Sequence, residues 1–547
     1  MSTRRSKAAI LVPQKKRTSP RVIVLALIII LLPVLFFAHL GHYSLWDDEA
    51  LTAMSAKGVI KTGDTSAVLD HNIVAYRNGG ELTNMKFRYL PPLQAYIVAP
   101  FLKLLGEQSA FAARLPFTIL GLLSVALVFW WLHKDRTTLV THLLFAIGFL
   151  CSVPLILYSR QCRYYGATLF CSVAIVYVYL HWRGLRREFA AFVFLSLCLL
   201  SLNYLNYIAL YACLAADYLL WGRNRFRLTV PDWLVLGIPQ VAIGGLVLWI
   251  WNPLSKNVVQ NTSSDWLADK ITLFWWNMRD MNSCEFGAVF LLILAPALFQ
   301  SSRDKWMLRA PLALITYVIA TTIVSPQPVN QTSVADIRYL VPLIPLCIAL
   351  AVQMLLVIVG KKTWLALGLA LVVFGTNLPN GGPLLWSGAR STIVDYAGEL
   401  LNPPAEPYSA AAKWINENVR DRESIWVIPE YMVYPLMFHA PNATYAWQLA
   451  ANNHDPQFAG LPPIHFQGRV QPDYIIAFGP VAQRVRQAIV GWHGVRYEQI
   501  ATLDCYWKDL YRPELFWRTF KPITDYNRQT EAIYIFKRQA IDNKSHD

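Results

Sequence analysis

Three consecutive acids, Asp47, Asp48 and Glu49, follow Trp46 just beyond the first long apolar run of the chain. Three carboxylates so close to lipid are costly unless they are solvated or paired. A carboxylate there could serve as a general base toward a hydroxyl or amine, or could hold a divalent metal. Taken alone, the acids read more plainly as a solvated cap at the end of the first span. A second set of residues is cationic. Lys86 and Arg88 precede Tyr89, Arg160 and Arg163 precede Tyr164 and Tyr165, and Arg338 precedes Tyr339. Arginine presents a rigid fork of donors that suits phosphate, and several together would form an anion site. A single such pair equally suits an interface anchor, since Tyr and Arg both favour headgroup depth. His42 and His71 flank the acids without the spacing of a metal-ligand pair. The chain has no GxxxxGK[ST] loop, no GxGxxG opening a helix and no GxSxG, so it carries no signature of nucleotide or dinucleotide binding.

The elements that must position these residues are apolar runs. A span needs about 20 apolar residues. Candidate spans are Val22–Leu40, Leu115–Leu132, Leu139–Leu157, Ala167–Trp182, Phe189–Leu202, Ile208–Trp221, Trp233–Trp251, Phe286–Phe299, Pro311–Val324, Leu340–Val359 and Trp364–Leu378, about eleven in all. The tail of residues 1–21 is basic, and every second loop after it is basic too: Lys134 and Arg136; Arg183, Arg186 and Arg187; Arg223, Arg225 and Arg227; Arg303, Lys305 and Arg309; Lys361 and Lys362. That alternation is what the positive-inside rule demands. It places the N-terminus in the cytoplasm, the long first loop 41–114 outside, and everything after residue 378 outside as well. The first span is read as a retained anchor, because no small-residue cleavage site follows it. The run Leu93–Leu105 is short and holds Pro100 and Lys103. As a span it would invert every later loop, so it is expected to be an interfacial or re-entrant helix.

Charge narrows the partners. The 547 residues carry 49 Lys and Arg against 34 Asp and Glu, a net charge of +15. Beyond residue 378 the chain is close to neutral, so the excess lies in short loops between apolar runs. A nucleic-acid footprint would instead be a basic face on a folded domain. The expected surroundings are the lipid bilayer, with no nucleic acid. Outer arginines run against the positive-inside bias, and three separate clusters of them (Lys86 with Arg88, Arg163, Arg338) point to a lipid-linked phosphate. The eight cysteines show no CxxC or zinc-type spacing, and most lie in apolar runs.

The ordered segments SLWDDEALTA (44–53), RYLPPLQAY (88–96), LLGEQSAFAARLPFTILG (104–121), YSRQCRYYG (158–166) and DIRYLVPLIP (336–345) together resemble the bacterial branch of the dolichyl-phosphate-mannose protein mannosyltransferases. They are also similar to the related aminoarabinose transferase that modifies lipid A. The resemblance covers roughly residues 20–360. It implies a GT-C fold: a polytopic α-helical membrane protein with about eleven transmembrane helices, here 22–378, followed by an extracytoplasmic mixed α/β domain, 379–547. It also implies a bacterial inner-membrane glycosyltransferase that takes sugar from a polyprenyl-phosphate donor. The acceptor would be a glycolipid such as lipid A or lipopolysaccharide, a polysaccharide, or a protein. In this pattern Asp48 and Glu49 match the family's Asp-Glu pair, Asp48 is the base, and Asp47 is an extra acid that could replace it. Arg338 and Tyr339 would hold the donor phosphate. Arg163-Tyr164-Tyr165 follows the family's Arg-x-Tyr version, which supplies no second acid. The resemblance demands no cofactor, and a divalent metal on the acids stays open. A transporter or flippase of lipid-linked sugars is the alternative, although no Gly/Pro-broken inverted repeat marks the two halves.

Past residue 378 the expected elements are a helix at 410–419, strands at 425–428 and 474–478, a helix at 481–490 and a last strand at 533–536.

Overall fold

The computed structural model describes residues 30–251, 265–282, 292–298, 305–325, 337–360, 362–379, 389–403, 405–479, 481–490, 492, 495–505 and 531–539. The basic tail, the start of the first expected span, half of Phe286–Phe299 and parts of two outer loops lie outside the described residues.

The apolar runs fold as helices. Residues 30–37 form α1. After the acids come α2 (Asp47–Thr62), α3 (Leu93–Leu105), α4 (Ala110–Lys134), α5 (Leu139–Cys151), α6 (Val153–Ser159), α7 (Tyr165–Leu180), α8 (Arg186–Leu202), α9 (Tyr204–Leu220), α10 (Val230–Ile250) and α11 (Trp266–Asp280). Helices Trp306–Val324, Ile344–Val359 and Thr363–Gly375 complete the membrane part. Among the described residues, four helices are long and apolar enough to cross a bilayer by themselves: Ala110–Lys134, Val230–Ile250, Trp306–Val324 and Arg338–Val359. The pair α5 and α6 adds a fifth span, bent by 63°. The bend falls at Ser152, just ahead of Pro154, whose ring cannot continue the hydrogen-bond ladder of α5. At 13 residues α3 is too short to span. It packs instead between α2 and α4. α10 exposes apolar side chains such as Val241 and Trp249 around most of its circumference, as a lipid-facing helix does.

α2 did not emerge from the apolar pattern. It is a second helix beginning at the acids, so these open an element rather than close the first span. Asp47, Asp48 and Glu49 occupy its first turn, where negative charge meets the positive end of the helix dipole. Gly63, at φ 75°, ends it in the left-handed conformation that glycine tolerates best. Where α4 and α7 cross, a Cβ on Gly166 would lie 2.2 Å from the Phe117 carbonyl oxygen. Only glycine admits that approach, and it sets the loop 158–166 tightly against α4.

The C-terminal domain is a five-stranded sheet with β6 (Thr444–Tyr445), β5 (Ser424–Ile428), β7 (Tyr474–Phe478), β9 (Glu531–Gln539) and β8 (Arg496–Cys505) in that order. Two small hairpins earlier in the chain, β1–β2 and β3–β4, lie within the first outer loop: Val68–Leu69 with Asn72–Ile73, and Leu82–Thr83 with Lys86–Phe87. In the domain, β5 runs parallel to β6 and β7, and β9 runs antiparallel to β7 and β8. All five residues of β7 are buried. Its Ile475 and Ala477 face the helix Val481–Val490, and Tyr474, Ile476 and Phe478 join the main core. Both faces are therefore covered, which explains why the strand reads as an unbroken apolar run.

The sheet domain docks on the first outer loop, so the two lie on one side of the membrane. Asn72 closes the joint with two backbone bonds, Nδ2 to Ala443 O (2.8 Å) and Tyr445 N to Oδ1 (2.8 Å). Leu45 N donates to His439 Nε2 (3.1 Å), and Lys57 Nζ donates to Phe438 O (3.2 Å). Burial, with the charges of Arg114 and Lys57, lowers His439 to about 3, so Nε2 stays an acceptor. A folded-state value below the ordinary one means that only the unfolded chain takes up the proton as pH falls. Stability is therefore expected to decline below about pH 6.5, by about 1.4 kcal/mol per pH unit. Melting temperatures of wild type and His439→Gln across that range check this. The wild type should fall more steeply, and parallel curves would refute it.

Candidate active site

Successive helical residues point about 100° apart, and α2 uses this to send its three acids into three surroundings. Asp47 is buried beside Tyr76 and Tyr434, whose hydroxyls are pushed up by burial and secondarily by its charge. Glu49 turns inward and is fully buried. It takes Arg114 Nε on Oε1 (2.9 Å) and Arg114 Nη2 on Oε2 (2.6 Å). It also accepts Cys162 N at 2.6 Å and Trp46 N at 3.3 Å. Glu49, expected among the reacting acids, lies here enclosed by these protein donors as a clasp. Arg114 completes the clasp by donating to the carbonyls of Leu40, Tyr43 and Ser44.

Asp48 faces the third way and meets the arginines. Arg338 Nη1 lies 2.5 Å from its Oδ2, and Arg163 Nη2 lies 3.4 Å from the same oxygen. Arg163 Nη1 is further held by Asp48 O (3.2 Å) and Thr52 Oγ1 (3.1 Å). All three side chains keep limited access to solvent, 17% for Asp48, 15% for Arg338 and 6% for Arg163, which a site open to a ligand requires. Each arginine lies over the tyrosine that follows it, Arg163 at 5.4 Å from the Tyr164 ring and Arg338 at 5.6 Å from the Tyr339 ring. The two tyrosine rings are parallel to within 4°, 6.5 Å apart. Asn206 of α9 fixes the second pair by donating to Tyr339 O at 2.6 Å. Two Arg-Tyr dipeptides from distant parts of the chain thus converge on one carboxylate.

Lys86 and Arg88 are not brought to this cluster. Arg88 grips Asp64 with both Nη atoms (2.8 and 2.7 Å), and Lys86 Nζ adds a third contact at 2.8 Å. The Arg88 and Lys86 hydrogen bonds hold the Asp64 carboxyl well below the usual range. Asp64 offsets one of their two charges there, apart from Asp48, and Arg88 also lies over Trp251 at 4.8 Å.

Arg160, one of the cationic loop residues, has a structural task. Fully buried, it donates to the carbonyls of Leu35, Phe36 and Ala38 and so caps the C-terminal end of α1. His71 Nε2 contacts the carbonyls of Asn442 and Ala443. Among the described residues no group of three or more His, Cys, Asp or Glu could hold a metal ion. Arg114 is the functional-region residue that the motif reading passed over. Its signal was present as a lone guanidinium inside an apolar run, which must find a partner.

A cavity of about 430 Å³ runs between α4, α5, α7, α9 and the helices Trp306–Val324 and Ile344–Val359, with Tyr317 and Pro342 among its lining residues. Its walls are mostly apolar, among them Val128, Phe145, Val176 and Leu346.

Solved structures match nearly the whole chain. ArnT from Cupriavidus metallidurans bound to undecaprenyl phosphate aligns over 94% of this chain and 98% of its own, with a TM-score of 0.51 at 13% sequence identity. The same protein in the apo state gives 0.55 over the same coverage and at the same identity. The chain shares its fold with ArnT. This is the GT-C fold expected from the ordered motifs. No family model and no curated protein matches the sequence.

Proposed function

We propose that the chain is a glycosyltransferase that moves a sugar from a polyprenyl-phosphate donor to an envelope acceptor at the outer face of the inner membrane. The observation that carries the proposal is the convergence of Arg163 and Arg338 on Asp48. Two guanidiniums on one anion form a site that a phosphate can enter by exchange. The undecaprenyl phosphate in the ArnT complex is a lipid whose phosphate such a site would take. In this reading the phosphate binds Arg163 and Arg338, with Tyr339 beside it, and the isoprenoid chain follows the apolar cavity. Lys86 and Arg88 brace Asp64 at the rim.

The chemistry follows from the charges. As the phosphate leaves the anomeric carbon, negative charge grows on its oxygen, and the two arginines stabilise it in a partly dry site. Asp48, released from the guanidiniums by the phosphate, takes the proton of the attacking hydroxyl or amine. Attack opposite the leaving group inverts the anomeric centre. Asp47, enclosed by Tyr76 and Tyr434, has less access to an acceptor than Asp48 and is the weaker candidate for the base. The alternation of basic loops supports a cytoplasmic N-terminus and an outer sheet domain.

The test uses purified full-length protein in nanodiscs. Undecaprenyl phosphate should bind to wild type and bind at least tenfold more weakly to Arg163→Ala/Arg338→Ala. Equal binding by both would remove the phosphate site. Mass spectrometry of envelope glycolipids, polysaccharides and glycoproteins with and without the gene then names the product. Movement of a lipid-linked sugar across liposomes with no transfer to any acceptor would favour the transporter reading.

A further inference from the structure

The face of the C-terminal sheet turned away from the first outer loop carries a group of aromatic side chains that transfer at Asp48 does not use. Side chains alternate along a strand. On β5, Ile425 and Val427 enter the main core, and Trp426 points to the other face. There its ring centroid lies 4.7 Å from that of Trp447, which follows β6, and 5.9 Å from that of Trp492, which follows the helix Val481–Val490. Trp447 and Trp492 close the triangle at 5.5 Å, and Tyr497 of β8 stands edge-on to Trp492 at 5.7 Å. Ile475, Ala477, Val485 and Ile489 form the buried second core. The four aromatic rings are only half-buried, so they lie at its margin and keep part of their surface in water.

Polar groups interleave with the rings. Trp447 Nε1 donates to Val470 O at 2.8 Å, and Tyr497 Oη donates to Pro472 O at 2.6 Å. Gln471, between those two carbonyls in the chain, has a buried Oε1 with no hydrogen-bond partner among the described residues. An unserved acceptor of this kind is costly and calls for a partner from outside the chain. Beside it, Arg538 donates to Gln471 O at 2.9 Å and to Asp473 Oδ1 at 2.6 Å. Trp447 itself has φ 61°, a left-handed backbone that a bulky residue seldom adopts. Its amide, bonded to Ile464 O at 3.0 Å, holds it there. Backbone kept in that region presents the indole at a fixed angle, as ligand clamps do.

We propose that Trp426, Trp447, Trp492 and Tyr497, with Gln471, form a saccharide-binding platform whose occupant is the glycan chain of the acceptor. A pyranose presents C–H bonds on its faces and hydroxyls around its edge. Indole faces take the first; an amide and a carboxylate–guanidinium pair take the second. The rings lie on the face opposite the joint with the membrane part, which argues against a lipid surface as the occupant. A protein interface concentrates its apolar residues at the centre and its polar ones at the rim, whereas here the two alternate. Binding at the platform stands on these residues alone. Its service to the acceptor rests on the reading of the chain as a sugar transferase, and it makes that acceptor a saccharide rather than a bare lipid or peptide.

The experiment titrates cellohexaose, chitohexaose and oligosaccharides released by mild acid from the host envelope into the full-length protein in nanodiscs, with saturation-transfer NMR and calorimetry as readouts. Wild type should bind at least one of them. Trp447→Ala and Trp492→Ala should each weaken that binding by about tenfold, and Trp492→Phe should keep most of it. Gln471→Leu, which leaves every ring in place, should also weaken it. Undecaprenyl phosphate binding, measured on the same samples, should stay level in all four variants. No probe bound by wild type, or an affinity unchanged in Trp447→Ala or in Gln471→Leu, overturns the platform. Cosedimentation of the nanodiscs with phosphatidylglycerol vesicles, lost in Trp447→Ala, would make the face a lipid contact and overturn it as well. If the lipid phosphate binds and no saccharide does, the platform falls while the donor site stands. If a saccharide binds through these rings and the lipid phosphate does not bind wild type, the donor reading falls and the platform stands.

Discussion

Arg114→Leu is expected to be the most destabilising single change in the membrane domain, at about 3–5 kcal/mol, the usual consequence of breaking a buried ion pair on one side. Both side chains of the pair have no solvent exposure. Without Arg114 the Glu49 carboxylate would stay buried with only the Cys162 and Trp46 amides to serve it. Three carbonyls, those of Leu40, Tyr43 and Ser44, would lose their donor as well. Glu49→Gln keeps the shape and part of the hydrogen bonding, so its effect should be smaller. The double variant Glu49→Leu/Arg114→Leu should recover only part of the loss, since the three carbonyls remain unserved. Fluorescence-detected size-exclusion after a temperature series measures this directly. An Arg114→Leu protein that melts with the wild type would show that the clasp does not hold the acidic turn in place.

Asp48→Asn should give the largest functional effect with the fold intact. General-base removal reduces turnover by about 10²- to 10⁴-fold, and the amide keeps the volume and one acceptor oxygen. Affinity for undecaprenyl phosphate should stay level or rise, because Asn no longer competes for Arg163 and Arg338. Arg338→Ala should do the opposite and weaken lipid binding. Asp47→Asn is the control, expected to change turnover far less. Should Asp48→Asn transfer sugar at the wild-type rate while Asp47→Asn does not, the base is Asp47.

Much of the architecture was legible because membrane spans announce themselves by apolar length, and lipid forces those runs into helices. The strands β5 and β7 were equally plain as short apolar runs, though not their pairing. α2 was not, since it is neither long nor amphipathic: it is enclosed on nearly all sides by α3 and the sheet domain. Missing it left the acids looking like the end of a span. The site divides in the same way. Arg163 and Arg338 could be nominated because each is an arginine before tyrosine on the unexpected side of the membrane. Lys86 and Arg88 shared that signature, yet their partner Asp64 lies 22 and 24 residues earlier, and no spacing rule links a loop cation to it. The separate fates of Asp47, Asp48 and Glu49 depend on helix phase, which becomes readable only once the residues are known to open a helix.

The two guanidiniums that hold Asp48 carry a consequence for the tempo of the cycle. In the proposed reaction the product left after transfer is polyprenyl phosphate, more highly charged than the donor, and a deep cationic pocket would retain it. An internal carboxylate able to reclaim both arginines shortens that residence. The same competition lowers the affinity for every phosphate-bearing lipid that drifts past, which in a membrane rich in phospholipid headgroups keeps the pocket from being clogged. A soluble phosphate-mimetic inhibitor would face the same internal rival, and its potency should rise when that rival is removed.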